Sequence, residues 1–362
     1  MVQRIAFILP HFRMGGAEQV VLRLLTSLDR TRFQPILILQ SSQGALLDQI
    51  PADVECHDLG NARASRAVLR LAKILRKERF DLTYTATNAG NLMVLAALRL
   101  SGASTRAIIS EHTPLSGFLG QAKARQIRIG LMRALYPTAS ALVAPLPQIG
   151  EEHLSILGKR VPQFTCLPNP VVDRIADLPA KQRRLTRLVS VGRLAEEKRF
   201  DLMIDAFAHA YAQNADLRLT IHGEGPCRMQ LETQIKVYGL EDAIKLPGLN
   251  RDIPQALADA DMFLCTSRVE GLGNAIIEAM AAGLPVLSVD CPFGPPHLLE
   301  NGESGALVRS DRPEDIASEI LAMTTDTARS QTYRTRGQAM AQRYHSGASI
   351  RAHETLFTLA CQ

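Results

Sequence analysis

Short apolar runs alternate along the whole chain with longer stretches in which apolar positions recur every three or four residues. RIAFILP near the start is followed by an amphipathic stretch through EQVVLRLLTSL, then by FQPILILQ, and later by TRAIISE and ALVAPL. Short, nearly continuous apolar runs suit strands buried on both faces, and the amphipathic stretches suit the helices that cross between them. The alternation predicts parallel sheets with crossover helices. A second series begins at RLVSVG (187–192) and continues through DLMIDAFAHAYA, LRLTIHG, RMQLETQIKVYG, AIKLPG and MFLCTS. Each half reads as its own doubly wound, Rossmann-like α/β domain, with expected limits of 1–175 and 185–342. Between them DRIADLPAKQRR (173–184), charged, proline-bearing and without periodicity, reads as a linker. Open α/β sheets bind ligands outside the carboxyl ends of their strands, so function is expected in a central cleft faced by both domains.

Composition adds bounds to this picture. With 362 residues, 46% of them hydrophobic, the chain can bury a large core, and its length favours two domains. The six cysteines lie far apart, with no C-x-x-C pair and no clustered histidines, which argues against a disulfide framework or a zinc site and for a reducing cytosol. The first apolar run stops at Pro10 and His11, too short for a signal segment, and no run reaches the roughly 18 apolar residues of a membrane span.

The formal charge of +5 is unevenly placed. Residues 1–180 hold 21 Lys and Arg against 13 Asp and Glu, a net +8, and the remainder carries −3. Much of the excess lies in NARASRAVLRLAKILRKERF (61–80) and QAKARQIRIGLMRALYP (121–137), where Arg66, Arg70, Lys73 and Lys77 recur at helical spacing, as do Arg125 and Arg128. Each segment alone reads equally as a solvated helix face; together they point to an anionic membrane surface or a phosphorylated acceptor. Nucleic acid is disfavoured, because aromatic residues are only 5% of the chain, tryptophan is absent and no recognised binding motif occurs.

Several strand exits carry candidate chemistry. Gly15 and Gly16 in HFRMGGAEQVV leave a strand and open a helix, so they are either a tight turn or a set of backbone N–H groups open to an anion. In VGRLAEEKRFDLMIDAF, Arg193 and Lys198 flank Glu196 and Glu197; two cations at a strand end can neutralise a departing diphosphate, and surface salt bridging is the competing explanation. IHGEGP (221–226) and KLPGLN (245–250) are glycine turns at strand ends, the second with Gly248 and Leu249. His112 in IISEHTP follows a strand of the first half and would reach the cleft, or simply sits in a turn.

In RVEGLGNAIIEAMAAG, Glu270 and Glu278 lie eight positions apart, and Gly271, Leu272, Gly273 and Asn274 form a helix start with free N–H groups suited to a phosphate. Eight helical residues rise about 12 Å, beyond the roughly 5 to 9.5 Å that separates the carboxylates of a glycoside hydrolase. The spacing suits a ligand with two ends. DAD at 259–261 has the look of a metal-holding pair, yet its place at a helix end entering a strand favours capping, and no metal is expected.

Taken together, GGAE (15–18), SEH (110–112), GRLAEEK (192–198), GEGP (223–226) and the E-x₇-E stretch, in this order and spacing, resemble the family 4 glycosyltransferases, retaining enzymes of the GT-B fold. The resemblance implies transfer of a hexose or N-acetylhexosamine from a nucleotide sugar, a UDP-sugar, as co-substrate and with no further cofactor. It implies that Arg193 and Lys198 hold the donor diphosphate, helped by Gly16 and the amides of Leu272 to Asn274. Glu278 would take the ribose hydroxyls, Glu270 and His112 the transferred sugar, and the backbone at Gly248 and Leu249 the base. It further implies that a last helix, about 343–362, crosses back onto the first domain. CPFGPPHLLENG (291–302) is similar to a segment of relatives that build lipid-linked or surface polysaccharides, with Pro296-His297 where those often carry Arg-Glu. The basic first half then fits a glycan or polyprenyl-diphosphate acceptor at the inner face of the cytoplasmic membrane. A nucleotide-sugar epimerase or a phosphorylase of the same architecture is the nearest alternative, and a non-catalytic nucleotide-sugar-binding protein the next.

Overall fold

The computed structural model describes residues 2–60, 63–118, 122–157, 162–178 and 184–362. The 179–183 part of the expected linker, and parts of both basic segments (61–62 and 121), lie outside the described residues. The chain forms two compact units, Met1–Pro170 with Ser346–Gln362, and Val171–His345.

In the first unit the elements run β1 (Gln3–Leu9), α1 (Gly16–Ser27), β2 (Phe33–Leu39), β3 (Glu55–Asp58), α2 (Ala64–Glu78), β4 (Leu82–Thr85), α3 (Asn88–Ser101), β5 (Arg106–Ser110), α4 (Leu115–Phe118), α5 (Ala122–Leu135), β6 (Ala141–Ala144), α6 (Pro147–Leu157) and β7 (Gln163–Cys166). The strands pair in parallel in the order β3-β2-β1-β4-β5-β6-β7. Residues 5–9 of β1 are all buried, as a central strand covered on both faces requires. One face packs on α1 through Phe7, Leu9 and Leu37, and the other packs on α2, α3 and α5.

The second unit runs β8 (Arg187–Val191), α7 (Phe200–Tyr211), β9 (Arg218–His222), α8 (Arg228–Val237), β10 (Ile244–Gly248), α9 (Ile253–Ala258), β11 (Met262–Cys265), α10 (Asn274–Ala281), β12 (Val286–Val289), α11 (Gly294–Leu298), β13 (Ala306–Val308), α12 (Pro313–Thr325) and α13 (Thr327–Gln342). Its sheet is also parallel, in the order β10-β9-β8-β11-β12-β13. The order reverses at β8, so the connections leaving β8 and β11 part to opposite sides and open a crevice at their carboxyl ends.

The last helix, α14 (Ser346–Cys361), returns to the first unit. Phe357 meets Phe7, Phe33 and Tyr84 with ring centroids 5.6 to 6.2 Å apart. Truncating a ring buried in this way typically costs about 3–5 kcal/mol, enough to hold the helix in place. Glu354 adds a polar anchor by accepting the Asp29 amide at 2.9 Å.

The linker expectation needs correction, because the described part of 173–184 is docked rather than free. The Ala176 amide donates to the Ala281 carbonyl at 2.9 Å, and the Gln338 side chain donates to the Ala176 carbonyl at 2.6 Å. Just before it, the amides of Val171 and Val172 donate to Tyr344 at 3.2 and 3.1 Å, so the division between units falls at Pro170. Proline and charge in the sequence reported irregular backbone, which is compatible with a pinned strap as well as with a tether.

Candidate functional site

The second unit gathers its candidate residues on the loops that leave β8, β9, β11 and β10. The first two loops are laced together: Gly192 donates to the His222 carbonyl at 3.0 Å, Leu194 to Glu224 at 3.0 Å, and Cys227 back to Leu194 at 2.9 Å. This approach leaves no space for a side chain at Gly223, where a Cβ would lie 1.8 Å from the Gly192 carbonyl oxygen. The glycine turn in IHGEGP is therefore a condition for the β8 loop to take its course.

That loop ends in a short 3-10 turn, Glu196–Lys198, which carries Lys198 to the β11 loop. There the Lys198 ammonium donates to Glu270 Oε1 at 2.5 Å, and Ser267 Oγ donates to the same oxygen at 2.6 Å. Thr266 Oγ1 donates to the carbonyls of Arg199 (2.8 Å) and Lys198 (3.2 Å), and the Arg268 amide to that of Glu197 (2.8 Å). The two loops form one rigid seat. Burial alone would lower the Lys198 pKa, but the Glu270 carboxylate against it outweighs that and raises it, so the ammonium stays charged throughout the physiological range.

Backbone strain marks the same spot. Arg199, directly after Lys198, has φ +50°, and Phe293, whose strand-like bridge pairs with Glu270, has φ +79°. Each such non-glycine conformation costs on the order of 1–3 kcal/mol and persists where surrounding contacts enforce it. Gly273, at φ +90°, turns the chain from the Glu270 loop into α10, and its carbonyl accepts the amides of Ile276 and Ile277. The amides that precede these open the helix at its positive end, four residues after Glu270 in the sequence. Asn274 is the first residue of α10, Glu278 lies a turn further and half-buried, and Gly271 and Leu272 form the approach, with Leu272 buried.

Arg193 stands differently from its expected partner cation. It is exposed and forms an i,i+4 ion pair with Glu197, the salt-bridging alternative that the sequence left open. Burial would raise the Glu197 pKa, but the hydrogen bond from Arg193 prevails and lowers it. Gly248 closes β10, its carbonyl accepting the Gly223 amide at 2.8 Å, and Leu249 beside it is exposed. From β10 to β11 is three strand spacings, about 14 Å, a span that fits a ligand with two ends. In the DAD segment, Asp259 accepts from Gln255 at 3.0 Å, and Asp261 is buried and accepts from the Arg187 amide (2.9 Å) and guanidinium (3.0 Å). Both carboxylates thus serve the helix end and the neighbouring strand. His297, at the departure noted in the sequence, shares a 2.9 Å hydrogen bond with the Tyr344 hydroxyl.

In the first unit, Gly15 caps α1 and Gly16 is its first residue. The buried Glu18 carboxylate curls back over Gly15, filling the place where a Cβ would go, and pairs with His11 at 3.2 Å. The chain's own acid therefore already lies at this glycine turn. His112 leaves β5 half-buried, with Nε2 2.9 Å from Ser110 Oγ; burial pushes its pKa down to about 4, so the ring is neutral at physiological pH.

Beside His112, Glu111 is fully buried, and sequence reasoning gave it no role. Its Oε1 accepts from Asn91 (2.8 Å), Asn88 (3.0 Å) and the Tyr136 hydroxyl, and its Oε2 faces His153 Nε2 at 3.3 Å. His153 Nδ1 lies 2.8 Å from the Ile149 carbonyl, which can only accept, so this nitrogen carries a proton. Burial would lower the His153 pKa, yet Glu111 overrides it and raises it. Ser267 and Thr266 were likewise missed. The visible signals were the acid in SEH and the two hydroxyls ahead of EGLG, none of which identifies a partner.

The family model for glycosyl transferases group 1 matches residues 175–340, and that for Glycosyltransferase Family 4 matches 14–174. A Campylobacter jejuni N-acetylgalactosamine-N,N'-diacetylbacillosaminyl-diphospho-undecaprenol 4-alpha-N-acetylgalactosaminyltransferase is 27% identical, covering 95% of this chain and 96% of its own. The putative colanic acid biosynthesis glycosyltransferase WcaL of Salmonella typhimurium is 38% identical over 39% of this chain and 36% of its own. The chain spans about a third of the length of some other curated relatives, 30% of a Streptomyces coelicolor exopolysaccharide phosphotransferase and 33% of a Streptococcus gordonii peptide N-acetylglucosaminyltransferase subunit. Among solved structures, Anabaena HepE in complex with UDP-glucose superposes with a TM-score of 0.82 at 22% identity, over 98% of this chain and 99% of that one. The lipopolysaccharide outer core galactosyltransferase WaaB gives 0.70 at 18%, over 97% and 98%. Two family models that together run from residue 14 to 340, on a fold shared with GT-B enzymes, place this chain among the family 4 glycosyltransferases.

Proposed function

We propose that the chain transfers a hexose or N-acetylhexosamine from a UDP-sugar to a lipid-linked or polysaccharide acceptor in bacterial surface-glycan synthesis, with retention of anomeric configuration and without a metal. The observation that carries this reading is the Lys198–Glu270 pair, seated at the reversal point of the second sheet next to the amide end of α10. A permanently charged ammonium beside outward-facing amides offers a departing diphosphate what it needs, stabilisation where charge develops. Glu270 balances that ammonium when no donor is bound and can turn to sugar hydroxyls when the diphosphate takes its place. Glu278 then takes the ribose, and the β10 exit at Gly248 and Leu249 takes the base. Arg193 joins by exchanging Glu197 for phosphate. On the first unit, Gly16 assists at the phosphate and His112, neutral, bonds hydroxyls of the transferred sugar.

In the proposed step the bond from the sugar's anomeric carbon to the diphosphate oxygen breaks, and the acceptor oxygen bonds that carbon on the same face. The acceptor proton passes to a diphosphate oxygen. No side chain serves as nucleophile, and the rate derives from positioning and charge stabilisation. The acceptor and the inner membrane face are supported by the Campylobacter relative, named for a diphospho-undecaprenol substrate, and by α5, which exposes Ile127 (68%) and Leu131 (47%) near Arg125. No helix among the described residues is long and apolar enough to cross a membrane.

The test is a panel of UDP- and GDP-sugars read by thermal shift and then by product analysis. The correct donor at 100 times its Kd should add about 2.7 kcal/mol of stability. Free UDP should appear only with acceptor present, EDTA should leave the rate unchanged, and the new linkage should keep the donor's anomeric form. Epimerised nucleotide sugar, or UDP release that requires added metal, would contradict the proposal.

A further inference from the structure

The loop that carries His112 runs from Glu111 at the end of β5 to Ser116 in the first turn of α4. Two consecutive residues of α6 hold it at both ends. At the far end, Glu152 accepts the Leu115 amide at 2.8 Å and the Ser116 amide at 3.1 Å, one with each carboxylate oxygen. At the near end, His153 faces Glu111 at 3.3 Å, and Glu111 is further fixed by Asn88, Asn91 and Tyr136. The Glu111 amide also continues the β5–β6 pairing by donating to Val143 at 2.8 Å. Between the two grips remain only His112, Thr113 and Pro114, the last with its φ fixed by its ring.

We infer that Glu152 and His153 are positioning residues, a clamp on α6 that fixes the backbone on either side of His112 and so sets where its imidazole meets substrate. This rests on His112 acting on the transferred sugar, as proposed above. Without these grips on its backbone His112 could swing with its loop, and a misplacement of about 1 Å at a reacting centre can cost up to 10²-fold in rate. The clamp is distinct from a general stabilising role, because Glu152 is half-buried and, among the described residues, its carboxylate bonds only the backbone of the His112 loop.

The experiment is a double-mutant cycle on the full chain with donor and acceptor, in which kcat, donor KM and melting temperature are measured for His112→Ala, Glu152→Ala, Glu152→Gln and the double variant His112→Ala/Glu152→Ala. Glu152→Ala should lower kcat by about tenfold with donor KM changed less than about twofold, and Glu152→Gln, which keeps one acceptor oxygen, should recover part of the loss. In the His112→Ala background the same Glu152→Ala change should lower kcat by less than about twofold, because residues acting through one another are not additive. An equal loss in both backgrounds, or an unchanged kcat for Glu152→Ala while His112→Ala is impaired, overturns the clamp alone. Full activity of His112→Ala overturns the role of His112 and the clamp with it.

Discussion

Replacing Lys198 with alanine is expected to lower kcat by roughly 10²–10³-fold, the usual consequence of removing one preorganised donor from a developing anion. The ammonium is the better placed of the two candidate cations. It is held by Glu270 at 2.5 Å within a seat braced by Ser267 and Thr266, whereas Arg193 is 62% exposed and paired with Glu197. Arg193→Ala should accordingly cost less, since an exposed pair of that kind contributes about 0–1 kcal/mol and the guanidinium must reorient before it can help. Lys198→Arg should not restore activity, because a planar fork cannot occupy the volume of a compact ammonium between the two loops. Because the lost contact belongs to the departing diphosphate, kcat should fall more than the apparent affinity for donor. Initial rates of UDP release with acceptor present decide the matter, and turnover near that of the unaltered chain in Arg193→Ala/Lys198→Ala would reject the assignment.

The second large effect belongs to folding. Glu111→Gln should destabilise the first unit by about 3–5 kcal/mol below pH 6.5, because it removes the counter-charge of the buried, protonated His153. His153 lies above its ordinary value of 6.5, so its contribution is complete below that pH and is lost as pH rises through the raised folded-state value. Glu111 lies below its ordinary 4.5; burial opposes this, but His153 and the hydrogen-bond donors prevail. Its contribution is therefore complete above pH 4.5 and is lost as pH falls through the lowered value. The pair stabilises most between these limits. Unfolding midpoints of the original and Glu111→Gln chains should differ most between pH 4.5 and 6.5 and converge as pH rises through the raised His153 value. A difference independent of pH would show that the pair is not ionised.

The sequence was most informative where function is written locally. Apolar runs located β1, β2, β5 and β6 of the first sheet and β8 to β11 of the second, and the glycine turns at IHGEGP and EGLG fell where loops cross or a helix opens, because a glycine requirement is set by nearby backbone. Pairings between distant residues left no such trace. Lys198 and Glu270 stand 72 positions apart, and their direct contact follows from β8 lying beside β11, a fact of sheet order that neither motif contains. Glu111 was visible within SEH, yet nothing in the sequence singles out its partner His153, and the two meet because α6 packs on β6, the strand beside β5. The described part of the 173–184 linker, 173–178, was misread for the same reason. Its irregular composition says nothing about Ala281 and Gln338, which hold it to the second unit.

A crystal structure of the chain with bound UDP bears on the central claim without intermediaries. The pyrophosphate should lie against the Lys198 ammonium and the amides of Leu272 to Asn274, with Glu270 released from Lys198 and the ribose hydroxyls on Glu278. Density for the nucleotide elsewhere, with the Lys198–Glu270 pair intact and Arg193 still turned to Glu197, would contradict it.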